Sequence, residues 1–132
     1  MTRFVIDPPT ALSMVNQERA VPPQHRLLAP TLLRSQALAL LYAQVARGDL
    51  ARSEADRRLD RLRGLRLRLL GDRVLQRVAW DLAAELGWAD TFVAEYLALT
   101  RLQGDAFVTA DPGLASIARR VVPVASPQDL LN

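Results

Sequence analysis

The chain has 132 residues, half of them apolar, and a formal net charge of +3 from 17 arginines and 14 acids. It contains no cysteine and one histidine, His25, which excludes disulfides, thiolate nucleophiles, sulfur-ligated zinc and histidine clusters. The length fits one domain spanning residues 1–132. No apolar run is long enough for a signal peptide or a membrane span, so we expect a cytoplasmic protein without a membrane partner.

Short apolar strands alternate with longer amphipathic helices along the chain. In chain order we predict a strand at 3–7, a helix from Pro9 to about Glu18, a polar loop at 17–26, a strand at 27–29 and a helix from Thr31 to about Ala46, whose apolar stripe is Leu33, Ala37, Leu40, Leu41 and Val45. We then predict a helix capped by Ser53 and ending at Gly64, an edge strand at 65–70 and a helix capped by Asp72 that runs to about Leu86. The next helix, capped by Asp90 or Thr91 and ending before Gly104, is apolar on most sides, so we expect it to be buried. It is followed by a strand at 106–111, a helix from Pro112 to Arg119, a strand at 121–124 and a terminal turn. This alternation predicts an α/β fold with a mainly parallel sheet and helices on both faces.

The positive charge is concentrated in the middle of the chain. Residues 57–77 hold eight arginines against two acids, a net +6, whereas residues 78–132 hold three arginines against seven acids, a net −4. Guanidinium groups bind phosphates through paired hydrogen bonds, so the basic segment could contact an RNA backbone. The alternatives are a solvated helix face followed by an edge strand, and a general preference for arginine, since the chain has no lysine.

Two of the predicted strands, at 3–7 and 106–111, end in an aspartate, Asp7 and Asp111. The carboxyl ends of parallel strands are where α/β sheets bind ligands, and two carboxylates placed there repel unless a cation lies between them. Oxygen ligands of this kind favour Mg²⁺ or Mn²⁺. Alternatively, each aspartate caps the helix that follows it. The residues alone leave both roles open.

Four segments then resemble a known family: FVID at 4–7, LLAPTLLRSQ at 27–36, TFVAEYLAL at 91–99 and AFVTADPGLA at 106–115. In order and spacing they are similar to the motifs of PIN-domain ribonucleases, specifically the VapC toxins of bacterial toxin–antitoxin pairs. The resemblance implies a three-layer αβα sandwich with a central, mainly parallel sheet of four to five strands. It also implies an acidic site that binds Mg²⁺ or Mn²⁺ and cleaves RNA.

Of the four positions that correspond to this family's acidic site, only two carry an acid in this chain. Asp7 and Asp111 match two of the expected acids, whereas Gln36 and Val93 stand where two others are expected, with Tyr96 still in register. Gln36 can orient water or coordinate through its amide oxygen but brings no charge, and Val93 can do neither. We therefore expect reduced or specialised metal-dependent ribonuclease activity, with a catalytically inactive PIN domain that still binds RNA or an antitoxin as the alternative.

Asp90 is a candidate substitute for the acid missing at Val93. It lies three residues earlier, about 60° around an ideal helix and one turn toward the N-terminus. Its alternative role is an ordinary helix cap. The predicted catalytic residues are thus Asp7, Gln36, Asp90 and Asp111, and the predicted metal ligands are the three aspartates among them.

The resemblance also implies partners: an RNA substrate, a cognate antitoxin that covers the active-site groove, and a second copy in a homodimer. Leu32, Leu38 and Tyr42 lie away from the main apolar stripe of their helix, so they are candidates for a partner surface or for core beneath another layer. A different reading is a doubly wound regulatory or scaffold domain of another family, in which Asp7 and Asp111 are caps.

Overall fold

The structure, a computed structural model, describes residues 1–17 and 20–132. Within these residues it contains five strands, six α-helices and a short 3₁₀ helix. They are β1 (Thr2–Ile6), α1 (Pro8–Gln17), β2 (His25–Pro30), α2 (Leu33–Ala46), α3 (Arg52–Gly64), β3 (Leu67–Leu70), α4 (Arg73–Leu86), α5 (Phe92–Gln103), β4 (Ala106–Val108), α6 (Pro112–Ala118), β5 (Val124–Ala125) and the 3₁₀ helix Pro127–Leu131. In the described part of the chain, no helix has the length and apolar character needed to span a bilayer.

The five strands form one parallel sheet in the order β3-β2-β1-β4-β5. The chain moves outward from β1 through β2 to β3, then returns to the other side of β1 to add β4 and β5. Because crossovers between parallel strands are right-handed, this reversal places α1–α3 on one face and α4–α6 on the other. The contacts agree, since α1, α2 and α3 pack against one another and α4 packs along α5. The predicted α/β sandwich with a parallel sheet is confirmed.

The core lies between the central strands and α5. Val5 in β1 and Phe107 in β4 are neighbours in the sheet and are fully buried. Every residue of α5 from Tyr96 to Thr100 is buried, as expected for a helix that is apolar on most sides. Gly104 ends this helix against β1, and a Cβ atom there would lie 2.8 Å from Cγ2 of Val5. Glycine at this position therefore lets α5 approach the sheet closely.

All five strands differ from their predicted bounds: β1 is shifted by one residue, β3 begins two residues later, and the larger differences are in β2, β4 and β5. β2 begins at His25 because it pairs along β1 from Thr2 onward. β4 ends at Val108, since the chain turns at Thr109 toward α6 instead of continuing to Asp111. β5 lies at 124–125, and the predicted strand at 121–124 was wrong because residues 121 and 122 bond back to the end of α6. β3 is an edge strand, as predicted.

The helix caps were predicted with mixed success. Asp72 caps α4 by accepting a hydrogen bond from the Leu75 amide at 2.8 Å, as predicted. Ser53 was wrongly predicted as a cap, because α3 already begins at Arg52 and the capping position makes no side-chain bond. The predicted end of the first helix, near Glu18, lies outside the described residues.

Candidate acidic pocket at the switch point of the sheet

A pocket opens where the strand order reverses, between β1 and β4. This is the position at which open α/β sheets bind ligands. Asp7 directly follows β1, and Asp111 lies three residues beyond β4, so both aspartates stand at the carboxyl ends of paired strands. The pocket has a volume of about 460 Å³ and is lined by both of them. The structure therefore brings together the two acids that the sequence singled out.

The rest of the lining comes from α1, α2, α5, β4 and α6, and most of it is apolar. It consists of Pro8, Pro9, Gln36, Ala39, Leu40, Val93, Tyr96, Phe107 and Leu114. Leu40 was expected to point inward with the apolar stripe of α2, but it is 40% exposed and forms part of the pocket wall. The predicted positions of Gln36, Val93 and Tyr96 therefore converge on the pocket, together with apolar neighbours that the sequence did not identify.

Each aspartate uses one carboxylate oxygen to cap a helix. Oδ1 of Asp7, a buried residue, accepts a hydrogen bond from the Thr10 amide at 3.0 Å. Oδ1 of Asp111 accepts from the amides of Gly113 at 2.9 Å and Leu114 at 3.2 Å. No described residue donates to Oδ2 of either aspartate. The cap and the ligand roles are therefore compatible, because one oxygen of each carboxylate holds the helix while the other is available to the pocket.

Gln36 is held by Tyr96. The Tyr96 hydroxyl donates to Oε1 of Gln36 at 2.6 Å. Burial, together with the negative charges of Asp7 and Glu95, raises the pKa of Tyr96 well above its usual range. The phenol of Tyr96 therefore stays protonated and donates, and this bond orients the side-chain amide of Gln36. The second lone pair of Oε1 and the Nε2 group of Gln36 are left unused. The sequence feature that indicates this bond is a tyrosine within a buried helix, because the hydroxyl of a buried tyrosine needs a polar partner.

Asp90 is not among the residues that line the pocket. It lies on the exposed surface before α5, and its carboxylate accepts from the Phe92 amide at 3.2 Å. Glu95 does not line the pocket either, and burial raises the pKa of its carboxyl. The side chain that occupies the wall at this point is Val93. Metal binding by Asp90 stays a prediction, one that its position does not support.

The pocket has no histidine to act as a base. His25 is the first residue of β2, at the amino ends of the strands, whereas the pocket lies at their carboxyl ends. Within the residues that the structure describes, no three acidic or histidine side chains group together as a metal site would require. A base for any reaction here must therefore come from a carboxylate or from water.

The donor set nevertheless suits one hard cation. Mg²⁺ is commonly held by one or two carboxylates and keeps several waters, so Asp7, Asp111 and the Gln36 amide oxygen are an acceptable set. Carboxylate charge drives the capture of such ions, so two acids should bind more weakly than the larger cluster expected from the resemblance. The set fits a single, weakly bound divalent ion.

The basic segment divides into two parts. In α3, Arg57 and Arg58 both pair with Glu54, and Arg63 pairs with Asp60, so much of the helix charge is neutralised locally. Beyond α3, Arg66 and Arg68 make no ion pair with any described residue and are exposed. Arg68 in β3 and Arg66 directly before it are therefore better placed than the arginines of α3 to contact a polyanion.

A second groove of about 500 Å³ lies between α2, α3 and β3, away from the acidic pocket. Its lining is leucine-rich and includes Arg34 and Arg63 at its edges. Leu38, which is 54% exposed, lines this groove, and Tyr42 on the same helix is 74% exposed. Leu32 is partly buried against the main core instead. Two of the three residues predicted for a partner surface are thus exposed.

Comparisons with known proteins support the fold alone. No family model matches the sequence, and no curated protein matches it. Among solved structures, PAE2754 from Pyrobaculum aerophilum superposes with a TM-score of 0.78 at 20% identity, over 98% of this chain and 93% of that one. VapBC2 from Rickettsia felis, bound to a DNA fragment from its promoter, superposes with a TM-score of 0.69 at 8% identity, over 94% of this chain and 98% of that one. The chain has a PIN-like fold.

Proposed function

We propose that this protein is a divalent-metal-dependent endoribonuclease of the PIN type, acting as the toxin of a toxin–antitoxin pair with reduced or specialised activity. One observation carries the proposal: Asp7 and Asp111 share a pocket at the switch point of a PIN-like sheet, each with one carboxylate oxygen unused. The structural likeness to the VapBC2 complex supports the toxin–antitoxin context. The sequence resemblance to VapC motifs supports the same reading.

In this proposal Asp7 and Asp111 would hold one Mg²⁺ or Mn²⁺ ion, which when bound would supply activation of water and stabilisation of charge on the phosphate. Gln36 holds a water or a phosphate oxygen through its amide, and Tyr96 fixes the orientation of that amide. The apolar wall formed by Leu40 and Val93 lowers the local dielectric and strengthens the electrostatic contacts of the two carboxylates.

The test is cleavage of labelled, structured RNA with Mn²⁺ or Mg²⁺ by the wild type and by Asp7→Asn and Asp111→Asn. Asparagine keeps an oxygen that can cap the helix, so the charge is removed while the fold is preserved. We expect both variants to lose cleavage, as the wild type does when EDTA is added. The matched control is Asp72→Asn, which makes the same change at the cap of α4, outside the pocket lining. Equal cleavage by all four proteins would refute the proposal.

A binding-only PIN domain is the second candidate. It is favoured by Val93, which brings no ligand, and by the Gln36 oxygen already bonded to Tyr96. This alternative predicts that the wild type binds RNA or an antitoxin but cleaves nothing at any Mn²⁺ concentration. Cleavage that depends on both metal and Asp7 excludes it.

The proposed partners are an antitoxin and RNA. The resemblance implies an antitoxin over the active-site groove, but the exposed side chains of Leu38 and Tyr42 favour the second groove, so we propose that the antitoxin binds there. We propose that RNA phosphates contact Arg66 and Arg68, which are also exposed. Co-expression with the product of the gene immediately upstream should give a complex that Leu38→Glu weakens. Arg66→Ala with Arg68→Ala should weaken RNA binding and reduce its salt dependence, because fewer counterions are then released. If Leu38→Glu leaves the complex unchanged, the antitoxin binds elsewhere on the protein. If the two arginine substitutions leave the RNA affinity unchanged, the RNA binds elsewhere.

A further inference from the structure

The pocket that holds Asp7 and Asp111 is larger and more apolar than a metal site alone requires. A water molecule takes about 30 Å³ of liquid volume, so an ion with a full octahedral shell of waters fills roughly 180 Å³. The pocket has a volume of about 460 Å³. Pockets of roughly 300–1,000 Å³ with mostly apolar walls and a few polar groups are typical of sites for small organic groups. The acidic pocket therefore has room for an organic group beside an ion.

Apolar side chains of the pocket lie beside the bonded pair of Gln36 and Tyr96. Leu40 follows Gln36 by about one turn of α2, and Val93 precedes Tyr96 by about one turn of α5. Residues with this spacing have Cβ atoms about 5–6 Å apart, so each apolar side chain is next to one member of the pair. Leu40 is 40% exposed, which leaves its surface available to a ligand. A nucleobase matches this combination, because it is flat and carries hydrogen-bonding groups along its edges.

The Gln36 amide keeps one acceptor and one donor unused. Its Oε1 accepts from the Tyr96 hydroxyl at 2.6 Å and has a second lone pair, and no described residue bonds to its Nε2. Adenine offers the matching pair of neighbouring groups on one edge, the N6 amino donor and the N7 acceptor, and glutamine can bond to both. On the corresponding edge guanine presents two acceptors, N7 and O6, and a pyrimidine presents a single polar group. Adenine therefore satisfies the amide most completely.

The two carboxylates of the pocket favour the same base. Asp7 and Asp111 each have a carboxylate oxygen to which no described residue donates, so both attract hydrogen-bond donors and repel carbonyl oxygens. Adenine is the one common RNA base without a carbonyl oxygen. Guanine, cytosine and uracil would each bring at least one carbonyl oxygen into a pocket that already holds two acids.

We infer, on the basis of the proposed function, that Gln36 reads an unpaired adenine of the RNA and that this base lies against Leu40 and Val93. The amide bonds to N6 and N7 of the base in place of the water or phosphate oxygen that it would otherwise hold. A base in the pocket cannot stay stacked in a duplex, so the adenine lies in a single strand or a loop, where unstacking costs least. Gln36 is thus a specificity-determining residue, and Tyr96 is the residue that positions its amide.

The test measures RNA binding by the full chain in EDTA, so that it requires neither a metal ion nor cleavage. The probes are labelled hexamers of uridine in which one central position is adenosine, guanosine, cytidine or uridine. The adenosine hexamer should bind at least about tenfold more tightly than the other three, as expected for one bidentate contact. Replacing this adenosine by 7-deazaadenosine, which lacks the N7 acceptor, should remove most of the preference. Adenosine 5′-monophosphate should bind more weakly than the hexamer, and equal affinity would overturn the assignment to RNA in favour of a free nucleotide.

Three variants connect the preference for adenosine to the Gln36 amide. Gln36→Glu still accepts from Tyr96 but has no donor for N7, so it should bind the four hexamers alike. Gln76→Glu makes the same change at an exposed residue of α4 outside the pocket lining and should keep the preference. Tyr96→Phe should reduce the ratio of the affinities without abolishing binding, because the amide is then free to rotate. Circular dichroism and thermal unfolding verify that each variant is folded.

Base preference and cleavage are separate readouts. A protein that prefers the adenosine hexamer but cleaves no RNA supports the role of Gln36 and refutes the proposed ribonuclease activity. Metal-dependent cleavage by a protein that binds all four hexamers alike would overturn the inference and leave the ribonuclease proposal intact. The inference would also be overturned by a preference for adenosine that survives Gln36→Glu, by an unchanged affinity for the 7-deazaadenosine hexamer, or by the absence of binding to any hexamer.

Discussion

Val93→Asp places a carboxylate where the pocket wall lacks one. Without metal, the change removes an apolar contact and adds a third acid beside Asp7 and Asp111. We expect it to lower the free energy of unfolding by about 1–3 kcal/mol. With excess Mn²⁺ the sign of the effect reverses, because a third carboxylate strengthens cation binding. The variant should therefore be less stable than the wild type in EDTA and should gain more stability than the wild type when metal is added.

The magnitude follows from linkage between metal binding and folding. An ion that binds only the folded state stabilises it by RT ln(1 + [L]/Kd), so each tenfold gain in affinity adds about 1.4 kcal/mol when metal is in excess. For a domain of this size, that corresponds to roughly 5 °C in melting temperature. The assay is thermal unfolding of the wild type and Val93→Asp, each in EDTA and in Mn²⁺. Val93→Asn is the control, since it has the same size without the charge. Equal metal-induced shifts in all three proteins would refute the reasoning.

Three further changes test the supports of the pocket. Tyr96→Phe removes the bond to Gln36 and should cost about 1 kcal/mol of unfolding free energy at neutral pH. Because the pKa of Tyr96 is raised in the folded state, the free energy of unfolding of the wild type should fall above about pH 10, where the same tyrosine ionises in the unfolded chain. Tyr96→Phe has no ionisable group at this position, so its alkaline titration should lack this contribution to the fall. Glu95→Gln should raise the free energy of unfolding at neutral pH, because burial raises the folded pKa of Glu95 and its charged form is therefore disfavoured in the folded state. The gain should disappear in acid, where Glu95 is neutral in both the folded and the unfolded state. Gly104→Ala should cost about 1–3 kcal/mol in denaturant unfolding, because its methyl group meets Val5.

The matched control for the glycine variant is Gly64→Ala. Gly64 ends α3, and a methyl group added there would meet no neighbouring atom within 4 Å, so the substitution should be neutral or slightly stabilising. Equal losses for both glycine variants would contradict the close approach of α5 to the sheet. For Tyr96→Phe, an alkaline stability slope unchanged from the wild type would contradict the raised pKa. For Glu95→Gln, a gain in unfolding free energy that persists in acid would contradict the raised pKa of Glu95.

The sequence predicted the architecture because the periodic apolar pattern is strong in this chain. The parallel αβα fold, the cap at Asp72, the buried α5 and the edge position of β3 all followed from local patterns. The strand ends were less predictable, since they depend on pairing. β2 extends to His25 because β1 offers a partner there, and this partner is distant in sequence.

The pocket was predictable only in part. Asp7 and Asp111 were identified because acids at strand ends occupy a known position in α/β sheets, and the structure brings them to one pocket. The bond between Gln36 and Tyr96 spans 60 positions, so no local pattern could specify it. Asp90 was proposed from helix angles alone, but the chain before α5 uses its carboxylate for a local turn.

The most direct test of the proposed metal site is the anomalous signal of Mn²⁺ in a crystal soaked with the ion. The proposed metal site predicts one peak in the pocket, within about 2.0–2.6 Å of a carboxylate oxygen of Asp7 and of Asp111, the range of hard-cation ligand distances. It predicts no such peak in Asp7→Asn crystals treated in the same way. A wild-type pocket without a peak, or a peak that persists in Asp7→Asn, would contradict it.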